Sequence, residues 1–155
     1  MDKTNAMRTL DRAKLNYKAY TFDAKEALSG IEVAKILEKD EKTMFKTLVT
    51  VGKSGNHYVF MIPVAEELDL KKAAKAASEK SIEMIKSKEL LPLTGYIHGG
   101  CSPIGMKKQF KTFLHQTAEN LDIIIFSAGK IGAQIEMNPN DLKNLIRIEL
   151  ADLTC

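Results

Sequence analysis

Three observations predict a mixed α/β fold for this chain. Phe45 to Val51 and His57 to Ile62 are β-rich runs joined by Gly52-Lys53-Ser54-Gly55-Asn56, a hairpin of the longer-loop kind. Ile123-Ile124-Ile125-Phe126 is a continuous apolar run with the character of a core strand. Helical patterns interleave with the strands irregularly, so a simple parallel α/β sheet is not expected. With 155 residues and no internal repeat or linker, a single domain spanning 1–155 is expected.

The elements follow in order. Asn5 to Leu15 reads as a helix with Ala6, Leu10 and Ala13 on one side, and Tyr17 to Phe22 as a short strand. Ser29-Gly30-Ile31-Glu32 is a capping-box pattern, in which serine and glutamate satisfy each other's free backbone donors. The helix it opens carries Ile31, Val33, Ala34 and Leu37. After the hairpin, Asp69 caps an alanine-rich helix through about Ser78 that buries Leu70, Ala73, Ala74 and Ala77. Ser81 to Met84 is a strand, and Lys88 to Leu91 a helical turn. Thr112 to His115, Asp122 to Ser127 and Ala133 to Met137 are strands. Asn138-Pro139 starts the last helix with proline in its first turn, and Ile146 to Leu150 is the last strand.

Composition narrows the class of function. The formal charge of +3 permits a nucleic-acid partner without demanding one. The positive charge is clustered: Lys71, Lys72, Lys75, Lys80, Lys86 and Lys88 form one group, and Lys107, Lys108 and Lys111 another. Two cysteines, Cys101 and Cys155, make no disulfide framework and fit a reducing compartment. The first residues hold no apolar signal core and no run is long enough to span a membrane, so a cytoplasmic protein with no membrane partner is expected. His57, His98 and His115 are not spaced as ligands, and no metal-binding, P-loop or dinucleotide motif occurs. Neither a metal nor another cofactor is expected.

Gly95-Tyr96-Ile97-His98-Gly99-Gly100-Cys101-Ser102-Pro103-Ile104-Gly105 is the most informative segment. Its glycines and proline fix backbone conformations and leave main-chain groups open to a ligand. Cys101 near His98 invites a nucleophile–base reading, although a small apolar thiol in a loop is the commoner outcome. Lys46 falls on the strand face shared with Met44 and Leu48. Its pattern admits two readings, a lysine aimed into a cleft and one laying its stem on apolar surface. Tyr20 fits half-buried packing with a wet hydroxyl, and Glu136, a lone strand glutamate, a solvent-facing position.

Taken together, the segments resemble the YbaK/EbsC family, relatives of the editing domain inserted in bacterial prolyl-tRNA synthetases. The resemblance rests on Tyr20, Phe45-Lys46-Thr47-Leu48, Pro63-Val64 with Leu68-Asp69-Leu70-Lys71-Lys72, the glycine loop, Lys107-Lys108, and Ser127-Ala128-Gly129-Lys130 with Gly132. These occur in family order over nearly the whole chain. The resemblance implies one domain with a central, mixed, curved sheet flanked by helices. It implies deacylation of mischarged tRNA, most typically Cys-tRNA(Pro), in which the substrate's own thiol attacks the ester and leaves as a thiolactone.

The roles it implies are catalytic for Lys46, Gly99 and Tyr20, and substrate-binding for Thr47, Gly100, Ser102, Gln134 and Ser29. Lys107, Lys108, Lys71 and Lys72 would meet tRNA phosphates. The partners implied are the 3′ acceptor end of an aminoacyl-tRNA and a prolyl-tRNA synthetase. Gln134 stands where many cysteine-specific members carry aspartate, and Ser29 where a phenylalanine often walls the pocket. Those departures leave room for another small amino acid, or for a module that binds charged tRNA or a synthetase without hydrolysing. A cysteine-dependent hydrolase acting through Cys101 is a third reading.

Overall fold

Thr4 opens the first helix: its side chain accepts the Met7 N–H, and the helix α1, Asn5–Arg12, buries Ala6, Met7 and Leu10. The computed structural model describes residues 2–155. α1 stops three residues short of the expected end, and Lys14 takes a left-handed conformation with φ 58°. The chain then forms β1 (Lys18–Thr21), α2 (Gly30–Leu37), β2 (Phe45–Gly52), β3 (His57–Pro63), α3 (Leu70–Ala77) and β4 (Ile82–Met84). After these come α4 (Ser87–Thr94), β5 (Lys111–His115), β6 (Ile124–Ser127), β7 (Ala133–Met137), α5 (Pro139–Leu145) and β8 (Ile148–Ala151).

The fold is the mixed α/β one expected, and its strands divide into two sheets. One has the order β1-β7-β6, the other β4-β2-β3-β5-β8. Among the described residues a parallel bridge, Met44 with Ile125, links them. The larger sheet is mixed: β2 pairs antiparallel with β3 and β4, while β3–β5 and β5–β8 are parallel.

Alternation sorts the side chains into layers. On the larger sheet Phe60, Ile62 and Phe113 pack against Ala73 and Ala74 of α3. On its opposite face Phe45, Met61 and Leu114 share a core with α1 and with Phe126, Ala133, Ile135 and Met137 of the small sheet. The small sheet's other face is polar: Tyr20 lies opposite Gln134, and Gln134 opposite Ser127, across three adjacent strands.

Two elements differ from expectation in ways that shape the site. α4 runs for eight residues with Pro92 inside it, where only a turn was expected. Proline costs the helix one backbone bond, but only two residues follow before Gly95 (φ 87°) ends it, so little helix is lost. Glu136 is buried, not solvent-facing, at 9% exposure. It accepts from Tyr20 Oη at 3.2 Å and pairs with Lys39 at 3.5 Å and Lys18 at 3.9 Å. A buried carboxylate needs such partners.

Candidate active site

The outer edge of β2 is open along half its length. β4 covers it only from Thr50 to Gly52, with one further bond from the Ile85 N–H to the Val49 carbonyl. Even-numbered β2 residues turn their main chain toward β3, as the Gly52–Asn56 and Met44–Val64 bonds show. By alternation Thr47 turns its N–H and C=O toward the uncovered edge. A cleft of about 580 Å³ lies along that edge.

Its walls come from elements distant in sequence. Met44 through Val49 line the β2 side, and Ser127 with Gln134 supply the polar face of the small sheet. Ser29, Gly30 and Val33 at the start of α2 form one rim. Met84 to Ser87 and Leu90, where β4 meets α4, form the opposite rim. His98, Gly99 and Cys101 of the glycine loop close a third side. Lysines 46 and 86 are the cleft's cations, and Glu67 is the one carboxylate among its described lining residues.

The site residues expected from the sequence separate into two groups. Lys46, Thr47, Gly99, Gln134 and Ser29 all line the cleft. Lys46 is half-buried and joins none of the ion pairs found among the described residues. Thr47 Oγ1 is buried and has no hydrogen-bond partner among the described residues. The Ser29 hydroxyl is engaged as the α2 cap, accepting the Glu32 N–H at 3.2 Å while its own N–H donates to Glu32.

The rest lie off the lining. Tyr20 stands beside Gln134 on the polar face, with its hydroxyl on Glu136 and Lys39 Nζ 4.8 Å from its ring centroid. Ser102 is buried and accepts the Ile104 N–H at 3.3 Å, which makes it an internal brace of the loop. Gly100 is buried too, and a Cβ there would come within 3.0 Å of the Lys130–Ile131 backbone. Its glycine requirement is set by a neighbouring loop, whereas the sequence had suggested a ligand. Lys107 and Lys108 are exposed beyond α4, and Lys71 is exposed on α3. Lys72 is tied down, 3.0 Å from Asp152 and 2.7 Å from the Thr154 carbonyl.

Sequence reasoning missed Lys39, Glu67, Met84 and Lys86. Nothing in their local patterns distinguishes them from solvated surface. The Tyr20 hydroxyl, and then the Glu136 charge, hold the Lys39 pKa above its ordinary value.

Cys101 is a buried thiol. It sits at the back of the cleft among Val49, Val59, Tyr96, Met106 and Phe110, and burial pushes its pKa up to about 12. A nucleophilic cysteine needs the opposite shift. Alkylation of the native protein at pH 8 is therefore expected to label Cys155, which is exposed, and spare Cys101. Turnover by Cys101→Ser should match wild type; its loss would restore the cysteine-hydrolase reading.

Comparison with known proteins places this geometry. The family model described as the aminoacyl-tRNA editing domain matches residues 25–145. An Enterococcus faecalis (strain ATCC 700802 / V583) protein named "Putative Cys-tRNA(Pro)/Cys-tRNA(Cys) deacylase EbsC" is 48% identical over 153 residues, covering 98% of this chain and 93% of that protein. Among solved structures, one described as "a putative trans-editing enzyme for prolyl tRNA synthetase" superposes with a TM-score of 0.85 at 24% identity, over 100% of this chain and 99% of that one. The hypothetical protein APE2540 gives 0.86 at 19% identity, over 98% and 100%. At these identities the two structures speak for the fold alone.

Proposed function

This chain belongs to the aminoacyl-tRNA editing domain family, and on that premise we propose that it is a trans-editing deacylase of mischarged tRNA, with Cys-tRNA(Pro) its substrate. The whole of 1–155 acts as one editing domain, and the 3′ acceptor end of the tRNA enters the cleft beside β2. A prolyl-tRNA synthetase is its partner in selecting that tRNA.

One observation carries the reading. Thr47 Oγ1 is buried in the cleft wall without a partner among the described residues, beside its own uncovered N–H and C=O. Unmet polar groups of this kind are costly in a free protein and are met when a ligand arrives. An aminoacyl ester offers the matching set: an α-ammonium, a carbonyl and ribose hydroxyls.

Because the ester is already activated, the protein's task is to position it and stabilise developing charge. Lys46 places its ammonium at the ester carbonyl or the adjoining phosphate. Thr47 and Gln134 hold the aminoacyl group from two sides, and Gly99 closes over it. Tyr20, held by Glu136, borders Gln134. The substrate sulfur then bonds to the carbonyl carbon as the carbon–ribose oxygen bond breaks. The thiol proton goes to the departing ribose oxygen, leaving thiolactone and free tRNA. Cys101 takes no part.

The direct test is a panel of mischarged tRNAs, read for free amino acid or thiolactone. Release from Cys-tRNA(Pro) ahead of the others is expected, and inertness toward all of them would overturn the reading. Thr47→Val sharpens it. Valine keeps the shape and the strand preference and removes a hydroxyl that has no partner among the described residues. Activity should fall about 10-fold while Tm holds or rises by about 1–2 °C. A lower Tm with unchanged turnover would make Thr47 structural.

Gln134 favours a second reading. An amide in place of a carboxylate weakens the hold on an α-ammonium, which suits another small amino acid or a module that only binds. Protein that binds charged tRNA and leaves every ester intact would support the binding module.

A further inference from the structure

The two rims of the cleft differ in charge, and we infer that the unpaired 3′ end of the tRNA runs along one of them, from Lys107 and Lys108 down α4 to the cleft mouth at Lys86 and Met84. The RNA itself rests on the deacylase reading; its path does not follow from that reading. Between Met84 and Lys108 the chain has four lysines and one acid, Glu89. Between Asp23 and Lys42, the stretch that holds α2, it has six acids and four lysines. The α4 stretch thus carries a surplus as large as that of the entire chain, and the facing rim repels phosphate.

The α4 lysines are also free to act. Lys86, Lys88, Lys107 and Lys108 all reach solvent, and none joins the ion pairs found among the described residues. Glu89 turns its carboxylate back to the Lys86 N–H at 3.3 Å. Lys107 is anchored at the far end of α4, its N–H on the Thr94 carbonyl at 3.0 Å and its side chain beside Gly95. Eight helical residues at ~1.5 Å each separate the two lysine pairs by about 12 Å.

Exposed apolar side chains belong to the same stretch. Met84, Leu91 and Ile97 are 46%, 51% and 50% exposed. Unpaired bases can rest on such surface, whereas a duplex buries its bases and presents only backbone. The other basic surface is α3. It packs on the larger sheet with Phe60 and Ile62, none of its residues lines the cleft, and Lys72 is occupied by Asp152.

Two double variants of the full chain test the path: Lys88→Glu with Lys107→Glu, and Lys71→Glu with Lys75→Glu. Affinity for uncharged tRNA is measured across salt concentrations, and deacylation is compared on Cys-tRNA(Pro) and on the cysteinyl ester of adenosine, which has no phosphate. The α4 pair should weaken tRNA binding about 10-fold and lower the salt slope by about 1.4, at ~0.7 for each single-strand phosphate no longer neutralised. Its kcat/KM should fall further on tRNA than on the adenosine ester. Equal falls on both esters, or an equal loss of binding from the α3 pair, would overturn the path. Wild-type protein that binds tRNA through the α4 lysines yet hydrolyses neither ester supports the path and overturns the deacylase reading.

Discussion

Lys46→Ala is expected to slow deacylation by about 10²–10³-fold, the range lost when a positioned electrostatic stabiliser is removed from an acyl-transfer site. Tm should stay within about 2 °C of wild type. The physical reason lies in what Lys46 does not do. It lines the cleft on β2 opposite Ile62, half-buried, and no ion pair among the described residues depends on it. Removing it strands no buried partner charge, which is the usual source of large losses in stability.

The kinetic form of the loss tells which atom Lys46 serves. A fall in kcat under single-turnover conditions places the ammonium at the carbonyl, where charge grows only in the transition state. A rise in KM with kcat intact places it at the neighbouring phosphate. Lys46→Arg separates the two further, since a planar guanidinium suits a phosphate better than a tightly focused oxyanion. Wild-type turnover by Lys46→Ala, or unfolding of that variant, would remove Lys46 from the mechanism.

Local chemistry made most of the fold legible in the sequence. Ser29 and Glu32 form the reciprocal cap that their spacing implied, and Asp69 Oδ1 accepts from the N–H groups of Lys71 and Lys72. The hairpin closes where the glycines and asparagine stand, with Gly55 at φ 93°. Such signals lie within a few residues, so a short stretch of sequence contains them. The division into two sheets does not, because it depends on Met44 meeting Ile125 from a distant part of the chain.

The site was legible in part, for the same reason. Lys46 stood out by sitting in an apolar strand, and Thr47 and Gln134 by their place in the family pattern. Glu67, Met84 and Lys86 enter the cleft only through tertiary convergence, from a turn after β3 and from the β4–α4 connection. Glu136 was misread because a strand glutamate usually faces water. Here Lys39, Lys18 and Tyr20 arrive from other segments to hold it. The glycine loop does line the cleft, but the reason for its glycines was only half visible.

Gly99 shows the missing half, and Gly99→Ala is expected to cost about 2 kcal/mol of stability or more, together with most of the activity. Two separate penalties add. The residue has φ +83°, a left-handed conformation that costs an ordinary residue ~1–2 kcal/mol. A Cβ there would lie 2.4 Å from Ala27 Cβ, in the segment leading into α2. To accept it the loop must move off that segment and take the cleft's third wall with it. For a chain of this length about 2 kcal/mol corresponds to a Tm lowered by roughly 4–8 °C. A shift of about 1 Å in a positioning wall lowers turnover by about 100-fold. The two penalties can be separated. Ala27→Gly removes the atom that clashes and leaves the backbone conformation as it is, and the next neighbours of the new Cβ then lie at 3.4 Å or beyond. The double variant Gly99→Ala/Ala27→Gly should recover the steric share of both Tm and turnover and keep the conformational share, so the cycle shows positive coupling. Simple additivity of the two substitutions would mean that the loop relaxes elsewhere. Glycine at 99 would then serve the substrate's approach and not the packing of the two rims.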